Sequence, residues 1–145
     1  MSEVLTAITI AAPPEKVWEV VMDPQRLGEW VTIHRKLDGA SDDEMDQTLC
    51  LRGVNFHVHW ELAECDAPRH AIWKGRGPAR SRAETENRLT SVDGGTRFAY
   101  RNEFKAPLGP LGAVASRALV GGLPEREAKA TLQNLKDLVE REARS

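Results

Sequence analysis

His57, His59 and Glu61 form an H-x-H-x-E run, which invites a metal or acid-base reading. On a β-strand, side chains two apart share a face, so both imidazoles could serve one divalent ion. The residues between them point elsewhere. Phe56, Val58, Trp60 and Leu62 alternate with Asn55, His57, His59 and Glu61, and the apolar set belongs inside. The histidines then face solvent, and no third ligand on a neighbouring strand can be identified. No metal site and no cofactor are expected. His34 is the better single candidate for an acid or base, because an imidazole with an ordinary pKa of about 6.5 takes either role. A lone histidine is equally a common surface residue. Tyr100, Asn102 and Asn87 could assist a proton transfer or orient a reacting group. There is no serine-histidine-carboxylate order, phosphate loop or dinucleotide fingerprint.

These groups sit on runs of strand length whose faces can be read. Over residues 96–104, Phe98, Tyr100, Asn102 and Phe104 alternate with Arg97, Ala99, Arg101 and Glu103. Over residues 80–89 the charged set Arg80, Arg82, Glu84, Glu86 and Arg88 belongs in water, leaving Ser81, Ala83, Thr85, Asn87 and Leu89 inside. A packed sheet core favours Val, Ile and Leu, whereas this inward face is small and polar. It opposes an aromatic set, Phe56, Trp60, Phe98, Tyr100 and Phe104. Small residues leave volume and aromatic rings supply walls, the usual make-up of a small-molecule site. The other reading is a filled core in which Thr85, Asn87, Tyr100 and Asn102 satisfy one another or bind trapped water.

Short connections make the strands an antiparallel meander. Residues 38–46 form an acidic turn lacking the ligand spacing of a calcium loop. Residues 65–69 and 91–95 form two further turns, the second carrying the hairpin signal Asp93-Gly94. Ahead of the meander, residues 8–30 read as a strand, two short helices and a tryptophan. Pro13 and Pro14 end the strand, and Val17, Trp18, Val20 and Val21 share one helical stripe. Asp23 is placed to cap a second helix that starts at Pro24 and carries Leu27 and Trp30. At the other end, Leu111, Val114, Ala115, Ala118 and Leu119 repeat at helical spacing. Ala128, Leu132, Leu135 and Val139 resume the stripe after Gly121, Gly122 and Pro124. A break or kink near residues 121–124 is expected, acting as a gate or merely fitting the helix to a curved sheet.

The chain of 145 residues has a formal net charge of −2, which argues against a strongly nucleic-acid-binding surface. By size it is one domain over residues 1–145, able to bury roughly two-thirds of its unfolded surface. Cys50 and Cys65 have no zinc or redox spacing and read as buried thiols in a reducing cytoplasm. No signal peptide and no membrane-spanning stretch is visible, so no stable membrane insertion is expected.

The run Ala12-Pro13-Pro14-Glu15-Lys16-Val17-Trp18, then Asp23-Pro24, Leu27 and Trp30, carries a resemblance to the START-like superfamily, also called SRPBCC. Gly94-Gly95-Thr96-Arg97 and Leu132-Gln133-Asn134-Leu135-Lys136 extend the resemblance over nearly the whole chain. This superfamily includes polyketide cyclases and dehydrases. The resemblance implies an α+β helix-grip fold. About seven antiparallel strands would curve around a long C-terminal helix, with two short helices after the first strand and a ligand cavity between sheet and helix. It implies that Trp30, His34, Phe56, Val58, Trp60, Trp73, Thr85, Asn87, Tyr100, Asn102 and Leu119 contact a ligand. The expected function is binding of a hydrophobic or aromatic small molecule, lipid or polyketide-like. The alternative is a cyclase, aromatase or dehydratase using the same cavity, and a co-chaperone-like interaction module is a third reading. The expected partner is that small molecule, with no nucleic acid, and a homodimer is an assembly the pattern admits.

Overall fold

A computed structural model describes residues 2–105 and 123–144. Among them, seven strands form one antiparallel sheet: β1 (Ser2–Ile10), β2 (His34–Ala40), β3 (Glu44–Leu51), β4 (Val54–Asp66), β5 (His70–Arg76), β6 (Arg82–Val92) and β7 (Gly95–Lys105). The spatial order is β1-β7-β6-β5-β4-β3-β2, so a meander from β2 to β7 is completed by β1 at its far edge. Two-residue turns join β3 to β4 at Arg52-Gly53 and β6 to β7 at Asp93-Gly94. Positive φ angles are adopted at Arg52, Gly53 and Gly94.

Helix α1 (Pro14–Val21) starts with its proline in the first turn and buries Val17, Val20 and Val21. The expected second helix is a 3-10 segment, Pro24–Glu29, and the Asp23 carboxylate caps it by accepting from the Gln25 N–H at 3.0 Å. Helix α2 (Glu125–Ala143) begins directly after Pro124, whose backbone is extended, so the helix does not run back through that proline. Gly121, Gly122, Leu119 and the rest of the stretch read as helical lie outside the described residues. The α2 stripe of Ala128, Leu132, Leu135, Leu138 and Val139 is buried beneath the sheet and beside β1. This is the helix-grip arrangement.

The residues that carry the resemblance clamp the helix to the first turn of the chain. The Thr96 hydroxyl donates to the Ala12 carbonyl at 2.7 Å in a fully buried setting. Lys136 Nζ donates to the Thr9 carbonyl at 2.9 Å and pairs with Glu140, which accepts from the Ala11 N–H at 2.8 Å. One turn earlier, the Asn134 amide donates to the Trp30 carbonyl at 3.3 Å, and Thr131 Oγ1 accepts from the Thr32 N–H at 3.1 Å. Arg26 adds a forked pair with Glu142. Polar groups at the end of β1 and after the 3-10 segment are thereby satisfied by α2.

On the outer face, Glu86 takes His70 on one side and Arg101 on the other, and Arg101 also meets Glu84. The His70 hydrogen bond, helped by the Arg101 guanidinium, lowers the Glu86 carboxyl from 4.5 to about 2. The folded value lies below the unfolded one. The stabilisation is therefore complete above pH 4.5 and fades as pH falls toward 2. Glu86→Gln is expected to destabilise the fold by roughly 2 kcal/mol at neutral pH, allowing for partial solvent screening. Urea denaturation of both proteins should show the difference shrinking across that acid window. A difference constant with pH would refute the pairing.

Both cysteines are free, but only Cys50 is half-buried. Cys65 is exposed, a correction to the expected buried thiol. It lies beyond the Leu62/Glu64 bulge, at the projecting end of β4 where Glu64 and Asp66 are exposed as well. No described helix is long and apolar enough to cross a membrane.

Candidate functional site: an apolar cavity between sheet and helix

Inward-facing residues of β3 to β7, the segment after α1 and Thr131 of α2 line a partly open cavity of about 130 Å³. This is far above the roughly 10–15 Å³ that one water needs, so it is no packing flaw. Phe56, Val58 and Trp60 line it from β4 and Trp73 from β5. Thr85 and Asn87 line it from β6, Tyr100 and Asn102 from β7, and Trp30 from the end of the 3-10 segment. Nine of the expected site residues are thus brought together. His34 is not among the lining residues, and Leu119 lies outside the described ones.

The wall is set by a missing side chain. A Cβ on buried Gly75 would stand 2.8 Å from both the Trp60 ring and Val58 Cγ1. Glycine there lets the Trp60 indole lie across β5. Its Nε1 donates to Gln47 Oε1 at 2.9 Å. An indole N–H can only donate, which orients the Gln47 amide and turns its NH2 toward His34 Nδ1, 2.8 Å away. His34 must then accept at Nδ1 and carry its proton on Nε2. Burial lowers the His34 pKa below its ordinary value, in the same direction. Gln47→Glu keeps an oxygen for Trp60 but replaces the donor facing His34 with a carboxylate. The His34 pKa should rise from below the ordinary histidine value to above it in an NMR titration. A value that stays low would mean the contact is not made in solution.

Opposite Trp60, the aromatic rings pack closely. Trp30 meets Phe98 edge-on at 6.4 Å and Tyr100 at 6.2 Å, and Phe98 stacks on Tyr100 at 5.8 Å. Around Tyr100 the polar side chains are only partly satisfied. Thr85 Oγ1 donates to Asn102 Oδ1 at 2.8 Å, but Asn102 Nδ2, Asn87 Oδ1, Trp30 Nε1 and Thr6 Oγ1 are buried without partners. Burial raises the Tyr100 pKa, and the Asn102 NH2 facing its hydroxyl offsets part of that, although the two do not reach good hydrogen-bond geometry.

The histidine pair lies on the opposite surface, as the alternation implies. His59 Nδ1 is 2.8 Å from Asp46, its directly opposite residue on β3, and Nε2 is 3.2 Å from Glu44 and 3.8 Å from Glu61. The Asp46 hydrogen bond raises the His59 pKa. Glu44, His59 and Glu61 are the described set whose spacing could hold a cation. Glu44 is the neighbouring-strand ligand that the sequence alone does not reveal, and the set does not touch the cavity.

Sequence reasoning also missed β3. Met45, Gln47, Leu49 and Leu51 are buried and line the cavity. Their period-two alternation is present in the sequence, but the acidic residues around them and the polar type of Gln47 conceal it.

A sheet gripping a helix with an apolar cavity between them defines a START-like protein of the SRPBCC class. The chain belongs to the family described as polyketide cyclase / dehydrase and lipid transport, whose model matches residues 1–140. Uncharacterized protein Rv1546 of Mycobacterium tuberculosis is 26% identical over 129 residues, covering 83% of this chain and 90% of that protein. Among solved structures, Zhui aromatase/cyclase from Streptomyces sp. R1128 superposes with a TM-score of 0.77 at 18% identity, covering 99% of this chain and 96% of that one. The Aha1 dimer from Colwellia psychrerythraea superposes at 0.67 with 17% identity, covering 97% of each chain. At such identities the likeness to these structures is one of fold.

Proposed function

We propose that this protein binds a hydrophobic or aromatic small molecule, lipid or polyketide-like, in the cavity between sheet and helix. The observation that carries this reading is the cavity itself: indole, phenyl and aliphatic walls around a few polar groups. Trp30, Phe56, Val58, Trp60, Trp73, Thr85, Asn87, Tyr100 and Asn102 are its contact residues in this reading. His34 acts on them through Gln47. The protein works in the cytoplasm as a single domain, without nucleic acid, and a homodimer is an assembly to test by sedimentation.

Native mass spectrometry of freshly purified protein, followed by organic extraction, tests the reading. A defined bound mass that is lost on extraction supports it. A clean unliganded mass, with no uptake of added aromatic compounds, opposes it.

A second reading, a cyclase, aromatase or dehydratase in the same cavity, is favoured by one observation. His34, its pKa lowered by burial, accepts from Gln47 and so fixes the orientation of a polar group in the cavity wall. In that case Tyr100→Phe and His34→Ala leave binding near normal and cut turnover. Equal loss of binding in both variants would count against catalysis.

A further inference from the structure

The four buried polar atoms without partners among the described residues are all neighbours of one ring. Asn87 lies directly opposite Tyr100 on β6, and Thr6 lies directly opposite it on β1. Asn102 is the next inward residue of β7, and Trp30 packs against the Tyr100 ring. Trp30 and Asn87 are 3% and 4% exposed, so bulk water does not satisfy them. A buried polar group left unmatched is costly, and four around one ring is a concentration rather than scatter.

Their chemistry is specific. Of these, Trp30, Asn87 and Asn102 line the cavity and Thr6 stands behind them on β1; Trp30 Nε1 donates, Asn87 Oδ1 accepts, and Asn102 Nδ2 donates while also facing the Tyr100 hydroxyl. A group that both accepts and donates matches this set. The ionisable side chains at the cavity, Arg82 and Glu103, sit at its rim on strand positions that alternate away from Tyr100. A carboxylate placed beside Tyr100 would be buried without a cation among the described residues.

We propose that the Tyr100 end of the cavity holds an uncharged hydroxyl group of the ligand, which makes the ligand class a neutral alcohol or phenol rather than a carboxylic acid. The hydroxyl oxygen accepts from Trp30 and Asn102, its proton goes to Asn87, and the hydrocarbon body lies toward Trp60 and Trp73. This rests on the cavity-binding reading above.

Displacement of the uncharged dye N-phenylnaphthylamine by naphthalene, naphthol and naphthoate separates the two ideas. Naphthol should compete about tenfold better than naphthalene, the gain of roughly one net hydrogen bond, and naphthoate should compete worst. Trp30→Phe and Asn87→Leu each remove one of the polar atoms, and each should bring the naphthol-to-naphthalene affinity ratio close to one, whatever it does to the affinity for both. Equal competition by naphthol and naphthalene overturns the hydroxyl site but leaves the cavity reading standing. Residues 106–122 contain one ionisable side chain, Arg117, and tightest binding by naphthoate would implicate such a cation and overturn the proposal. Failure of the dye itself to bind takes down both ideas.

Discussion

Gly95→Ala is expected to cost about 3 kcal/mol of stability or more, the largest effect of a methyl addition at any of the described glycines. A Cβ at Gly95 would fall well inside van der Waals contact distance of the Ile10 carbonyl oxygen and 3.1 Å from Ala11 Cα. Both neighbours are backbone and cannot turn aside as a side chain would. Ile10 is fully buried, and the next residue of β7, Thr96, holds the Ala12 carbonyl. Retreat at this point would also loosen the clamp made by Lys136 and Glu140. Gly39→Ala is the matched control, since a Cβ there meets nothing within 4 Å. Urea denaturation should give Gly39→Ala a midpoint near that of the parent and Gly95→Ala a much lower one. Unfolding free energies within about 1 kcal/mol of each other would mean that the close approach of β1 and β7 is relaxed in solution.

Thr85→Trp should abolish occupancy of the cavity while leaving the fold in place. Thr85 is a half-buried lining residue flanked across the sheet by Trp73 on β5 and Asn102 on β7. An indole there extends into the open volume rather than into packed neighbours, so the overpacking penalty of a filled core is avoided. The change removes the Thr85–Asn102 hydrogen bond, a loss of about 1 kcal/mol. Affinity for an apolar dye should fall about a hundredfold, equivalent to ~2.7 kcal/mol. Near-ultraviolet circular dichroism should still report ordered aromatic packing. Undiminished dye binding in a folded Thr85→Trp protein would place the dye elsewhere and refute the cavity as the binding site.

Much of this architecture was legible because its determinants are local. Alternation put Ser81, Ala83, Thr85, Asn87 and Leu89 on the inward face, and all are buried or half-buried. Asp23 and the following proline announced a helical turn. Asp93-Gly94 announced a hairpin, and Gly94 has the positive φ such a turn uses. The aromatic wall was legible for the same reason, since a face of Phe56, Val58 and Trp60 can hardly point to water. What could not be read depends on which strands become neighbours. The Trp60–Gln47–His34 chain joins three strands, and Glu44 reaches His59 only through the β3–β4 register. Gly75 looked unremarkable until the ring lying over it was known. The recognisable motif residues Thr96, Asn134 and Lys136 all bind backbone at the clamp. For that reason they identify the fold without identifying the ligand.

The pairing of β1 with β7 has a consequence for how the molecule assembles. Ser2 finds its opposite residue at Phe104, and Ile10 finds its own at Thr96. During synthesis β1 leaves the ribosome early, but the strand that satisfies its backbone and the helix that anchors its end emerge only after the whole meander. Closure over so long a loop is slow, because its entropy is lost before the contacts form. Until then β1 is a solitary extended segment with alternating apolar residues, the kind of edge that pairs with another chain. The vulnerable interval of this protein is therefore the wait of its first strand for its last, and crowded or overexpressed nascent chains should aggregate through that strand.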